Sequence, residues 1–155
     1  MRYPYTPKSN NNLSIGDYWV IQLRDSSFSV GIVIDIPPKE MKTRTMLIAG
    51  LLDWNSKSIP TKEVLFNLKV LAQGEIHIKS IVSTGREIVD NINLSENGIK
   101  PLVQCSSSER FNYSTVNEGY KVIRKMNESD LQSYSVLGTW GYHFIKTIAE
   151  KHFLK

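Results

Sequence analysis

The residues able to carry chemistry in this chain are few and scattered. The histidines are His77, His143 and His152, the single thiol is Cys105, and Asp17, Asp25, Asp35 and Asp53 sit at the ends of apolar runs. A metal site needs several His, Cys or carboxylate ligands at workable spacing. Neither His-x-x-x-His nor Cys-x-x-Cys occurs, and His143 and His152, on one predicted helix, are separated by about 900° of rotation and point to opposite sides. Cys105 lies in the polar run QCSSSER, residues 104–110, and reads as a surface thiol. As a nucleophile it would need His77 to approach it. No Gly-x-Ser-x-Gly, Walker loop or Gly-x-Gly-x-x-Gly is present. Aspartates at strand ends most often hold turns or cap them. The expectation is a chain with no catalytic residue, no metal ligand set and no cofactor site.

The residues better suited to recognition are aromatic. In GDYWVIQLRDSSFSVGIVIDI, residues 16–36, Trp19, Ile21 and Leu23 alternate with Tyr18, Gln22 and Arg24. Further along, Phe28, Val30, Ile32, Ile34 and Ile36 fall on one side and Ser29, Gly31, Val33 and Asp35 on the other. This period of two predicts a half-buried antiparallel hairpin, turned at Asp25, Ser26 and Ser27 and ended by Pro37 and Pro38. Trp19 is expected on the apolar face of that hairpin. Tyr18, Gln22 and Arg24 would then form the exposed face, and Tyr and Arg together are residue types that anchor protein interfaces. Asp53 and Trp54, just beyond an apolar strand, complete the set of candidate partner-binding residues.

The rest of the chain must position these groups. Residues 1–12 hold two prolines and an Asn triplet and read as a flexible lead-in. Residues 44–54 are apolar on both sides, as suits a central strand. Residues 64–71, 75–82 and 86–94 read as further strands, with turns at Thr84-Gly85 and Asn97-Gly98. Residues 104–118, rich in Ser, Asn and Glu, read as a long loop, and residues 120–124 as a short strand. Asn127, Ser129 and Asp130 open a short helix. Trp140, Phe144, Ile145, Ile148, Ala149 and His152 then repeat at helical spacing, which predicts an amphipathic helix over 140–153 packed on the sheet. The expected fold is mostly β (α+β), with residues 13–155 forming one domain. A small curved antiparallel sheet and an SH3-like barrel both satisfy the pattern.

Bulk properties narrow the function class. The chain has 155 residues, 41% apolar and 22% charged, which is enough for one ordinary core. The formal charge is +4, from 19 basic and 15 acidic residues, with both signs interspersed and no run of five like charges. Dispersed charge argues against a nucleic-acid partner, which usually calls for a basic stripe. The longest wholly apolar run, residues 46–52, is too short for a bilayer. A lone cysteine and an N-terminus without a signal-like apolar core point to a cytoplasmic protein.

Gly16-Asp17 leading into VIQL (20–23), a polar turn and VGIVIDI (30–36) resembles the Immunity protein 26 family of bacterial polymorphic toxin systems. The resemblance implies a small, largely β protein that binds and neutralises a cognate toxin domain, without turnover. A basic chain is an uncommon inhibitor of a nuclease toxin unless Asp17, Asp25 and Asp53 form a local acidic patch. Three alternatives stay open: a nucleic-acid-binding β-barrel using Tyr18, Arg24, Lys79 and Arg86, an enzyme using His77 or Cys105, and a phage or mobile-element inhibitor of a host defence protein. Oligomeric state is open as well.

Overall fold

The computed structural model describes residues 2–107 and 114–154. The predicted hairpin forms as β1 (Asp17–Gln22) and β2 (Phe28–Asp35). At its turn, the Ser27 hydroxyl and Ser27 N–H donate to Asp25 at 2.5 and 2.9 Å. Those bonds, with Lys57 beyond them, hold the Asp25 carboxyl down at about 2. With β3 (Met46–Ser56), β4 (Val70–His77) and β5 (Asp90–Asn91) the hairpin makes a five-stranded antiparallel sheet, ordered β4-β3-β2-β1-β5. A second sheet, ordered β8-β7-β6-β9, contains β6 (Val103–Ser106), β7 (Thr115–Glu118), β8 (Lys121–Lys125) and β9 (Ser135–Val136). The described residues also hold three short 3-10 turns and three α-helices: α1 (Ile78–Gly85), α2 (Asp130–Ser133) and α3 (Phe144–Phe153). The fold is α+β and mostly β. It is built on two open sheets, the second with one parallel pair (β6 and β9), and neither closes into the SH3-like barrel. Among the described residues no helix is long and apolar enough to cross a membrane.

The register of the hairpin overturns the expected assignment of its faces. Tyr18 pairs with Ile32 and Trp19 with Gly31. Residues directly opposite in an antiparallel pair share a face. Trp19, Ile21 and Val33 therefore line one side, while Tyr18, Val30, Ile32 and Ile34 line the other. Both sides are buried. The first packs with Leu47, Ala49 and Ile76 against α1 and α3. The second packs with Ile48, Leu52, Ile92 and Ile99 beneath the second sheet. β3 is an interior strand between β2 and β4, with Leu47 to Leu52 buried without interruption, as the apolar run predicts.

Several segments take other forms than their spacing suggests. Residues 75–82 change from strand to helix at His77, whose imidazole accepts the Lys79 N–H at 3.0 Å and caps α1. Ile76 completes the strand pattern, Ile78 and Ile81 are the buried face of the helix, and Val82, expected on the strand's apolar side, is 40% exposed. Thr84-Gly85 ends this helix instead of turning a hairpin, and Arg86 follows at φ 73. Residues 64–71 hold no strand until Val70, because Asn67 turns at φ 54 and donates its N–H to Asn97 at 2.7 Å. Of residues 86–94 only Asp90–Asn91 forms a strand, paired with Asp17 and Tyr18, while Ile88 makes an isolated bridge to Tyr5. The expected 104–118 loop is replaced at both ends by strands β6 and β7, in which Cys105 pairs with Val116; the 108–113 part of that expectation lies outside the described residues. The C-terminal helix starts at Phe144, since 138–140 instead cover the β4 edge through bonds of Glu75 N–H to Gly138 and Trp140 N–H to Glu75.

Residues 2–12, read as a flexible lead-in, dock on the sheet. Tyr5 and Ile88 exchange backbone bonds at 2.8 and 3.0 Å. The buried Asp17 carboxylate accepts from Tyr3 at 2.6 Å, Asn91 at 2.8 Å, Ser14 N–H at 2.9 Å, and the Tyr5 hydroxyl. Burial, with that carboxylate beside them, pushes both phenols above the usual tyrosine range. In the second sheet Arg124 donates twice to Asp130 at 2.7 Å and Asn127 N–H adds a third bond at 2.7 Å, which fastens α2 to β8. Those bonds, Arg124's first, hold the Asp130 carboxyl down at about 2.

Replacing Asp17 with Ala leaves two hydroxyls and two N–H donors without their acceptor and is expected to cost about 3 kcal/mol in urea unfolding. A value under about 0.5 kcal/mol would mean that the N-terminal segment contributes nothing through this carboxylate. Because the folded carboxyl of Asp130 titrates low, its contribution is complete above the ordinary aspartate range and is lost as pH falls through about 2. The Asn127 amide resonance should follow that midpoint. A midpoint near the ordinary 3.8 would show that Arg124 does not hold Asp130 in solution.

Candidate functional site

The five residues expected to bind a partner do not come together. Tyr18 is 2% exposed, at the centre of the second core, so it is not the exposed anchor that its alternation with Gln22 and Arg24 suggested. Burial, and then Asp90, push its hydroxyl up to about 12. Gln22 is exposed at the end of β1. Arg24 is committed to α3: its N–H donates to Glu150 at 2.7 Å and its guanidinium lies 3.6 Å from the same carboxylate. Asp53 also faces α3, with His152 at 3.9 Å. Trp54, one residue on, lies against the Tyr18 core on the opposite side of the sheet. The acidic patch proposed for Asp17, Asp25 and Asp53 is not formed either. One of the three is buried, one holds a turn with Lys57 and one faces a histidine.

Cys105 is a buried residue of β6, not a thiol on a polar loop. Burial pushes it up, and the nearby Asp130 acts in the same direction, so the thiolate that nucleophilic chemistry requires is disfavoured. His77 is used as the cap of α1, and burial, together with Lys79, holds its pKa below the ordinary histidine value. Among the described residues no group of three or more His, Cys, Asp or Glu is placed to hold a metal ion.

A hollow lies where the two sheets meet. It has a volume of about 620 Å³ and is mostly apolar, with Ile34, Leu94, Ile99 and Val103 below and Ile15, 50% exposed, at its edge. Asp35, Lys100 and Glu118 are the charged groups that line it. A smaller hollow of about 250 Å³, with Leu68, Val70 and Leu102, shares Gly98 and Lys100 with it. The segment between them is a compact turn held by Asn97 N–H to Asn93 at 3.0 Å and Ile99 N–H to Leu94 at 2.9 Å.

Polar pegs set the width of this groove. Asp35 accepts the Ile36 N–H at 2.9 Å and the Tyr120 N–H at 2.8 Å, which ties the end of β2 to the turn between β7 and β8. Tyr120 then donates its hydroxyl to the buried Glu75 at 2.8 Å. Gln73 of β4 bonds Leu102 through both its amide groups, at 2.9 and 3.0 Å, and Gln104 of β6 at 3.1 Å. Gly119 is required here: its φ is +58, and a Cβ would meet the Asp35 carboxylate at 2.3 Å. In the sequence the trace of the groove is Asn97-Gly98 followed by Ile99-Lys100-Pro101. The turn is evident in it. That Ile15, Ile34 and Val103 converge on that turn is not.

No protein-family model, curated protein or solved structure matches this chain.

Replacing Gly119 with Ala combines an unfavourable φ with a collision against Asp35 and is expected to lower stability by about 1–2 kcal/mol, read by urea unfolding. The amides of Ile36 and Tyr120 should shift together. Unchanged shifts at both would mean that the Asp35 peg does not span the two sheets.

Proposed function

We propose that this chain is a non-catalytic binding protein of the immunity type, which docks on a cognate toxin domain and covers its active surface. The observation that carries the reading is the groove between the sheets. Its size falls in the range of sites that take a ligand or an anchoring side chain. Its apolar floor suits a partner's aliphatic or aromatic anchor, and the charges of Lys100 and Glu118 at its margin can orient that anchor. The carboxylate of Asp35 is already spent on two backbone N–H groups, so its role in the groove is structural. The resemblance of residues 16–36 to Immunity protein 26 supports the choice of a toxin as partner. In that case inhibition is by occlusion, and the groove contributes affinity while dispersed surface charge tunes association rate.

Co-expression with the toxin domain encoded by the adjacent gene should restore growth, and the two proteins should co-purify. Ile15→Glu, at a half-exposed position, should weaken the complex at least about tenfold without changing the melting temperature, because it places a charge at an apolar contact. No rescue and no complex would overturn the immunity reading. A complex indifferent to Ile15→Glu would remove the groove from it.

A further inference from the structure

β8 is the edge of the second sheet, and all five of its residues, Lys121, Val122, Ile123, Arg124 and Lys125, are exposed. Val122 and Ile123 are 43% and 45% exposed, so the edge offers apolar surface beside its basic groups. An edge strand presents unpaired N–H and C=O groups along its outer side. Three of the five residues are basic and none is acidic. Arg124 is neutralised by Asp130, but Lys121 and Lys125 take part in no ion pair among the described residues. The strand is held firmly at its far end, where Arg124 grips α2 and Met126 N–H donates to Ser114 at 2.8 Å. It begins two residues after Gly119 of the groove wall, so edge and groove adjoin.

Charge decides which strand this edge can accept. A second copy of β8 would bring a second set of the same basic residues, Lys121 and Lys125, to the shared edge, where like charges are destabilising. The irregularity that leaves Ile123 unmatched in the register with β7 further disfavours identical pairing. The same lysines attract a strand that carries carboxylates at those positions, while Val122 and Ile123 supply apolar contact. We propose that β8 is a docking edge for an extended acidic segment of a partner protein, which adds to the second sheet as a further strand. This rests on the reading of the chain as a protein-binding module and specifies the chemistry of the partner segment.

The test needs no toxin, so its outcome is separable from that of the immunity reading. A fluorescent ten-residue peptide of alternating Glu and Thr should bind the full chain at least about tenfold more tightly than its Lys-Thr counterpart, and the amides of residues 121–125 should shift. The double variant Lys121→Glu, Lys125→Glu alters only exposed side chains and should reverse the preference while keeping the melting temperature. Equal binding of the two peptides, shifts confined to the groove, or a variant that keeps the original preference would overturn the proposal. So would a short DNA oligomer that competes for β8 at equal affinity, since the edge would then be a general anion surface. Dimerisation of the native chain through β8 would overturn it too.

Discussion

Trp19 lies across Gly31, and the rest of the molecule is organised around that contact. A Cβ at Gly31 would sit 2.5 Å from the indole ring, so the pairing admits only glycine beneath the tryptophan. On the far side of the ring a Cβ at Gly85 would sit 2.7 Å away, and the indole N–H donates to Thr84 at 3.0 Å. The end of α1 is therefore fixed over β1 by one side chain. Because side chains alternate strictly along a strand, setting Trp19 on this face sets Tyr18 on the other. The five-stranded sheet thus has two apolar faces, and each has to be covered. α1, α3 and the N-terminal segment cover the first. The second sheet and the 92–102 segment cover the other.

Covering the second face brings polar groups into the interior, and their pairing shapes the site. The amide groups of Gln73 and Gln104, the Asp35 carboxylate and the Tyr120 hydroxyl all bond across the boundary between the sheets. Buried polar groups are costly unless they are satisfied, so each bond that joins the sheets also fixes their separation. The groove is the space these pegs leave open. Glu118 and Gly119 of its lining lead directly through the hairpin turn into β8, so the groove and that basic edge adjoin.

Much of the chain was legible. The hairpin of residues 16–36, the central β3, the strand at 121–125 and the amphipathic C-terminal helix follow from period and turn chemistry alone. Local competition explains several departures. In residues 75–82, Ile76, Ile78 and Val82 fit a strand, yet the chain turns helical after His77 and Ile81 is buried where Val82 was expected to be. In residues 104–118 a polar composition suggested a loop, yet Gln104, Ser106, Thr115 and Asn117 are buried in strands. A strand under other chain can carry polar residues when its neighbours hydrogen-bond them, and composition does not report those neighbours. The N-terminal segment departed for the same reason. Tyr3 and Tyr5 donate to Asp17, which Asn91 also bonds, and Tyr5 pairs with Ile88, so the segment is ordered by residues distant in sequence.

By itself the sequence determined the elements, because period, turn residues and caps act over a few positions. It also determined that one face of each strand of the first hairpin had to be buried. Which faces those were, and that the set containing Tyr18 was among them, was decided only in three dimensions. Facing depends on the register between strands and on what distant chain covers the sheet, here Trp19 against Gly31 and the 92–102 segment above Tyr18. The groove is a property of that same covering, since Ile15, Ile34, Ile99 and Val103 meet only when the second sheet closes over the first.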